Sequence, residues 1–236
     1  MNDNKRRASL NFLTLKSGLD GLDRQLRNGF SPGIIHIYGP PNTGKSNFAM
    51  QLVLNAITTY DSEPIWIDTN NNFEFRRLIQ MTGNNIRILR NFKYLNPINY
   101  DEFKILIENI PKIIDNKTMV LVIDPITYFY RLNVNLNNWF GLKRDLIKIL
   151  GKFIGISVKN HLIIILVNQI KGHEMKLEAV CQDILELYSK YSLLFENKNG
   201  LTITLRKLRN IKLNKKFKFK ISNNGLSDFS TKIGID

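Results

Sequence analysis

The chain has 236 residues, is 43% hydrophobic, and carries 34 Lys and Arg against 20 Asp and Glu, a formal charge of +14. That length suits one substantial α/β domain, and the charge favours polyanionic partners, with a merely solvated basic surface as the alternative. A lone cysteine, Cys181, excludes an internal disulfide, and three scattered histidines offer no zinc spacing. No apolar run approaches the ~18 residues of a membrane span, and the N-terminus lacks a signal peptide's apolar segment, so the chain reads as intracellular and soluble.

The first 16 residues, with Lys5-Arg6-Arg7, read as a short basic arm, and 17–236 as one core without an internal linker. Apolar runs at Ile34–Tyr38, Ile65–Asp68, Met119–Asp124 and Leu162–Asn168 suit strands buried on both faces. Stretches at 3.6-residue spacing, Lys45–Ala56, Tyr100–Ile114 and Leu142–Ile156, alternate with them. This alternation predicts a mostly parallel sheet flanked by helices. Leu201–Leu205 and Lys216–Ile221 instead alternate between two faces, predicting an appended antiparallel pair, and Asn223-Asn224-Gly225 reads as a turn.

Gly39-Pro40-Pro41-Asn42-Thr43-Gly44-Lys45-Ser46 fits G-x-x-x-x-G-K-[ST] between an apolar strand and a helical stretch. The glycines let the backbone turn its N–H groups toward phosphate oxygens, and the helix adds the positive end of its dipole. Lys45 would reach the β- and γ-phosphates, and the Ser46 hydroxyl would ligate Mg²⁺. Asn47 completes the nucleotide-binding set. Val120-Leu121-Val122-Ile123-Asp124 is an apolar strand ending in a carboxylate, which in such ATPases holds the Mg²⁺ shell opposite the hydroxyl. ATP and Mg²⁺ are the expected cofactors.

The residues before the loop, Ser17-Gly18-Leu19-Asp20, Leu22-Asp23, Asn28-Gly29-Phe30 and Pro32-Gly33, resemble the entry into RecA/RadA superfamily cores. Ile123-Asp124-Pro125-Ile126-Thr127 with Tyr130-Arg131 is similar to the archaeal RadB pattern. Val167-Asn168-Gln169 resembles the family strand ending in Asn-Gln, and Thr202–Leu208, Arg209 and Phe217–Gly225 its closing hairpin. The resemblance runs from about Ser17 to Phe229. It implies a RecA-like ATPase core and a recombinase paralogue, with Gln169 sensing the γ-phosphate.

One departure bears on catalysis. The family run Asp-Thr-Glu-Gly, whose glutamate activates the attacking water, stands here as Asp68-Thr69-Asn70-Asn71. An asparagine orients water but accepts no proton at neutral pH, and a lost general base costs a factor of ~10²–10⁴. Glu74 is the substitute if the loop bends it back. The expectation is tight ATP binding and weak hydrolysis, stimulated by DNA if it persists.

Arg206 to Lys220 holds eight basic residues and no acidic one. Lys216 and Lys218 face away from Phe217 and Phe219, which suits either a stripe tracking phosphates or an edge strand blunted by lysines. By position, the resemblance places DNA-facing loops after the Asp124 strand, with Arg131, and after Gln169, with Lys171 and Lys176. It also puts Lys207 and Arg209 where a neighbouring copy's nucleotide would be contacted in trans. Together these imply a DNA repair and recombination accessory protein that binds ATP, Mg²⁺ and DNA, single strands above all, and a RadA-type recombinase or itself. A KaiC-like signalling ATPase and a P-loop small-molecule kinase are the alternatives.

Overall fold

The computed structural model describes residues 14–133, 139–171, 178–179 and 181–229. The basic arm up to residue 13, Lys176 and the rest of 172–177, and 134–138 lie outside the described residues. In chain order the elements are α1 (Asp20–Gln25), β1 (Gly33–Gly39), α2 (Lys45–Tyr60), β2 (Ile65–Asp68) and α3 (Phe75–Met81). A 3₁₀ turn, β3 (Lys93–Leu95), α4 (Tyr100–Ile113), β4 (Val120–Asp124), α5 (Tyr128–Asn133) and α6 (Trp139–Asn160) follow. The chain continues through β5 (Ile163–Lys171), β6 (Glu178–Ala179), α7 (Gln182–Tyr188), β7 (Tyr191–Asn197), β8 (Leu201–Leu208), β9 (Ile211–Ser222) and β10 (Gly225–Asp228).

The strands form one sheet in the order β10-β9-β8-β7-β1-β5-β4-β2-β3, with β6 paired to β5. From β7 to β3 every pairing is parallel, and β8, β9 and β10 extend the β7 edge antiparallel. This is the expected RecA-like architecture. Its cause is visible in β5, where Ile163, Ile165 and Val167 join one core and Ile164 and Leu166 the other. A strand apolar on both faces must be covered on both. α2 packs into the first core through Phe48, Leu52 and Val53, and α4 and α6 into the second through Phe103, Ile107, Leu146 and Phe153.

Local chemistry sets the element ends. Asn99 caps α4 by accepting from the Glu102 N–H at 2.9 Å, and the Glu102 carboxylate accepts from the Ile98 N–H at 3.0 Å. The four strands and three helices read from the sequence all form, with boundaries shifted by a few residues and α6 extended at both ends. Asn223 and Asn224 form the expected turn. β7 carries no clear signal of its own in the sequence, because only Ser189 and Lys190 separate it from α7. β9 begins five residues before Lys216; in its first half only Leu213 is partly buried against the core, so its apolar pattern is a weak strand signal and its ladder to β8 shapes it.

The hairpin folds back over the first core. Phe48 meets Phe195 at 5.5 Å between ring centroids, and Phe195 meets Phe219 at 5.8 Å, so α2, β7 and β9 share one aromatic row. Gln51 of α2, buried, donates to the Ser17 and Leu226 carbonyls and accepts from the Leu226 N–H at 2.5 Å. The lead-in before β1 and the last strand are thereby tied to one helix.

Gly39 ends β1 at φ +155°, and a Cβ there would collide with the Phe195 carbonyl oxygen of β7. That oxygen is backbone and cannot rotate away. Gly39→Ala is expected to destabilise the protein by about 2–4 kcal/mol, measured by denaturant unfolding; a loss under about 0.5 kcal/mol would show that β7 can yield.

Candidate nucleotide-binding site

At the carboxyl end of β1 the chain turns through residues 40–44 into α2. The Pro40 carbonyl accepts from the Thr43 hydroxyl at 2.8 Å and from the Lys45 ammonium at 2.5 Å. Asn42 adopts φ +59°, a left-handed conformation that asparagine tolerates. Gly44 sits at φ +90° under the hairpin, where an added Cβ would lie 2.9 Å from Ile221 Cδ1. The loop is thus closed on one side by β9, and its N–H groups lead into the positive end of a 16-residue helix.

β4 runs two strands from β1 and ends at Asp124. The Ser46 hydroxyl donates to Asp124 Oδ2 at 2.7 Å, joining α2 to β4. Burial pushes the Asp124 carboxyl up to about 6; the Ser46 hydrogen bond and the Lys45 charge oppose this, and Asp68 reinforces it. Burial also lowers Lys45 to about 8, with Asp124 pulling the other way. Among the described residues no cluster of three or more His, Cys, Asp or Glu could hold a metal by itself. The donor set here is one hydroxyl and one carboxylate oxygen. That fits Mg²⁺, which takes few protein ligands and completes its shell with water and phosphate.

β2 lies beside β4 with Asp68 in register with Asp124. The buried Asp68 carboxylate accepts from the N–H groups of Asn70 and Phe73, at 3.2 and 2.9 Å, and from the Tyr94 hydroxyl at 2.9 Å. Burial and the Asp68 charge raise the Tyr94 hydroxyl to about 12, so it remains a donor. Thr69 donates its hydroxyl to the Pro125 carbonyl at 2.6 Å and its N–H to the Asp124 carbonyl at 3.2 Å. These contacts hold Asn70, half-buried, beside the end of β4. Glu74 sits exposed at the start of α3 and lines a groove of about 580 Å³ with Arg77, Gln80, Asn84, Asn223 and Asn224. No hydrogen bond among the described residues ties it to Lys45, Ser46 or Asp124.

Gln169 is in register with Gly39, one strand over from the loop. Its N–H donates to Asn168 Oδ1 at 2.9 Å, and the same oxygen accepts from the Thr127 hydroxyl at 2.6 Å. The Asn168 amide approaches His36 Nε2 at 3.4 Å, and His36, fully buried, is lowered to about 3 and stays neutral. Thr127 follows the Asp124 strand, so this network links Gln169 to that strand through neutral groups.

Arg77 went unread in the sequence. Its Nε donates to Asn47 Oδ1 at 2.5 Å, and its other nitrogens donate to Gln80 Oε1 and to the Ser222 and Asn223 carbonyls. It clamps the first turn of α2 to the β9–β10 turn. One arginine of an adjacent pair in a polar run gave no signal, because its partners come from two distant segments.

The basic candidates fall into two places. Lys216 and Lys218 are exposed on β9, opposite the half-buried Phe217 and the buried Phe219, as the alternation predicted. Arg131 is exposed in the last turn of α5, and Lys171 ends β5. Lys207 donates to the Glu186 carbonyl of its own chain. Arg209 turns β8 into β9 with its N–H on the Lys190 carbonyl at 2.6 Å. Both lie toward the end of the sheet where β1 begins, since Leu208 pairs with Tyr191 and Lys190 bonds to Ile34. They are remote from their own chain's Lys45.

Comparisons with known proteins agree with the fold. A family model described as ATPase: KaiC matches residues 15–232. The DNA repair and recombination protein RadB of Methanococcus maripaludis strain C7 is 31% identical, over 82% of this chain and 90% of its own length. The chain belongs to the RadB family of KaiC-type ATPases. The RadB protein of Methanocaldococcus jannaschii is 30% identical, over 82% of this chain and 92% of its own length. A crystal structure of the RadB recombinase superposes with a TM-score of 0.78 at 25% identity, covering 92% of this chain and all of that one. Membership in this family carries nucleotide binding with it. Among the described residues no helix of this RadB-family chain is long and apolar enough to cross a membrane.

The raised Asp124 carboxyl gives a test. The folded protein holds that proton more tightly than the unfolded chain, so ionising it costs stability that grows between about pH 4 and 6 and is complete above 6. Asp124→Asn is therefore expected to stabilise metal-free protein by about 1–3 kcal/mol at pH 8 and by little at pH 4, while weakening Mg²⁺-dependent nucleotide binding at least tenfold. Thermal melts at the two pH values check this; an unstabilised variant at pH 8 would show that the carboxylate is not strained.

Proposed function

We propose that the chain is a recombination accessory ATPase that binds ATP with Mg²⁺ and DNA, and uses the nucleotide as a conformational ligand more than as fuel. Phosphates would lie along residues 39–46 against Lys45, with Ser46 and Asp124 holding the metal. When bound, Mg²⁺ would neutralise charge on the phosphate oxygens. The nucleoside end would lie toward the groove beside Asn47, where Arg77, Asn223 and Asn224 offer donors and acceptors. The observation that carries the reading is the contrast within the site. Lys45, Ser46 and Asp124 are assembled, while Asn70, held beside Asp124 by Asp68 and Thr69, cannot accept a proton from water.

Gln169, joined through Asn168 to Thr127, is the group suited to report the γ-phosphate to the segment after β5. Lys216 and Lys218, with Arg131, Lys171 and Lys176, supply the cations for a single-stranded DNA path. Lys207 and Arg209 would contact nucleotide only in a neighbouring copy stacked head to tail, since they sit at the other end of their own sheet. A RadA-type recombinase or a second copy is the proposed partner; the similarity to DNA repair and recombination proteins supports that setting.

Turnover measured with and without single-stranded DNA tests the core of this reading. Slow hydrolysis, nucleotide binding abolished by Lys45→Ala, and a rise of about 10²-fold in Asn70→Glu are expected. Brisk, DNA-stimulated turnover that Glu74→Gln removes would instead make Glu74 the base.

DNA affinity should fall steeply with salt. Lys216→Ala and Lys218→Ala should each reduce the slope of log K against log salt by about one. Failure to bind DNA at ~50 mM salt would favour the KaiC-like signalling alternative.

A further inference from the structure

α6 is the longest helix among the described residues, and its outer side is not an ordinary solvated face. Phe140, Ile147, Ile154 and Val158 are 82%, 40%, 41% and 72% exposed. Their spacing of seven, seven and four places them in one stripe about 40° wide at 100° per residue. Gly151 falls beside that stripe and Gly155 just outside it; a Cβ added at either would meet nothing within 4 Å. Glycine is a poor helix former, and no intramolecular packing accounts for these two. They leave room for another backbone to approach closely.

The side contacts of α6 locate the stripe. Lys143, four residues before Ile147, reaches Asp183 of α7 at 3.3 Å. Asp145 and Lys152, on the opposite side, bond to Tyr100 and Glu108 of α4 at 3.3 and 3.5 Å. The stripe therefore runs along the α7 side, and α7 itself exposes Leu187. Arg144 stands at the outward edge of the seam and Lys148 and Lys159 on the flank beyond it, all exposed and with no ion pair among the described residues. Of the two acids on α7, Asp183 is already paired with Lys143, and Glu186 lies beside Lys207.

The geometry points to a docking site for one amphipathic helix of a partner protein, apolar at heptad positions and carrying carboxylates along one flank. Residues 140, 144, 147, 151, 154 and 158 alternate by four and three, which is the seam a single packed helix reads. The unpaired cations on one flank select an acidic occupant. A second copy fits worse in either orientation: packed parallel, Arg144 meets its own mate inside the seam, and packed antiparallel, the cationic flanks meet.

The probe is a fluorescein-labelled three-heptad peptide with Leu at a and d and Glu at e and g, whose like-charged flanks oppose self-pairing. Its counterpart carries Lys at e and g. Anisotropy with the full chain should show the Glu peptide binding at least tenfold more tightly than the Lys peptide. Ile147→Glu with Ile154→Glu should weaken it at least tenfold, and Arg144→Glu with Lys148→Glu should reverse the preference. Unchanged thermal melting and nucleotide binding establish that these variants fold; Ile154→Gln and Lys148→Glu alone serve if the double variants do not. Binding of neither peptide, or Glu-peptide binding indifferent to every variant, overturns the proposal. So does light scattering that shows a dimer made monomeric by Ile147→Glu with Ile154→Glu, or anionic-vesicle binding lost in that variant.

Discussion

The hydrogen bond from Ser46 to Asp124, 2.7 Å long, joins the helix after the phosphate loop to a strand two places away in the sheet. It holds a half-buried carboxylate, and the cost of that charge is seen in its raised proton affinity. Such a group is tolerated when cations are near, and Lys45 is one. The neighbouring contacts serve to keep this pair in place. Thr69 bonds to the Asp124 and Pro125 carbonyls, Asp68 shapes the turn that follows it, and Asn168 fixes Thr127. So much polar bonding around one carboxylate preorganises the cation and phosphate site proposed above.

The C-terminal hairpin is the second constraint. Its phenylalanines continue the aromatic row from α2 through β7, its tip is held by Arg77, and its last strand is held by Gln51. Asn47 and Gln51 both belong to α2, the helix that begins at the phosphate loop. The strand bearing Lys216 and Lys218 therefore cannot shift independently of that loop. The helix after the loop and the basic strand are thus coupled by side chains in direct contact.

The sequence alone determined the class of the fold and named the residues that the fold brings together in the candidate site. Two-sided apolar strands alternating with helices leave little choice but a covered parallel sheet. The phosphate loop is legible because its chemistry is local: eight consecutive residues supply the turn, the ammonium and the hydroxyl. The alternation of Lys216, Phe217, Lys218 and Phe219 was legible for the same reason, since a strand's two faces are written at period two. Asn70 was readable only through the family resemblance, because an asparagine after Asp-Thr has no meaning without the glutamate expected there.

What only the tertiary structure decided are relations between distant segments. Arg77 acquires its role from Asn47 and from Ser222 and Asn223, far apart in sequence, and no local pattern encodes that meeting. The position of Lys207 and Arg209 at the far end of the sheet follows from strand direction, which β8 takes from pairing with β7, a strand the pattern did not reveal. Even the elevated Asp124 carboxyl is a tertiary property: the residue is named by the sequence, but its loss of water comes from the elements packed around it. Local motifs fix which groups are present; burial and long-range pairing fix what each of them faces.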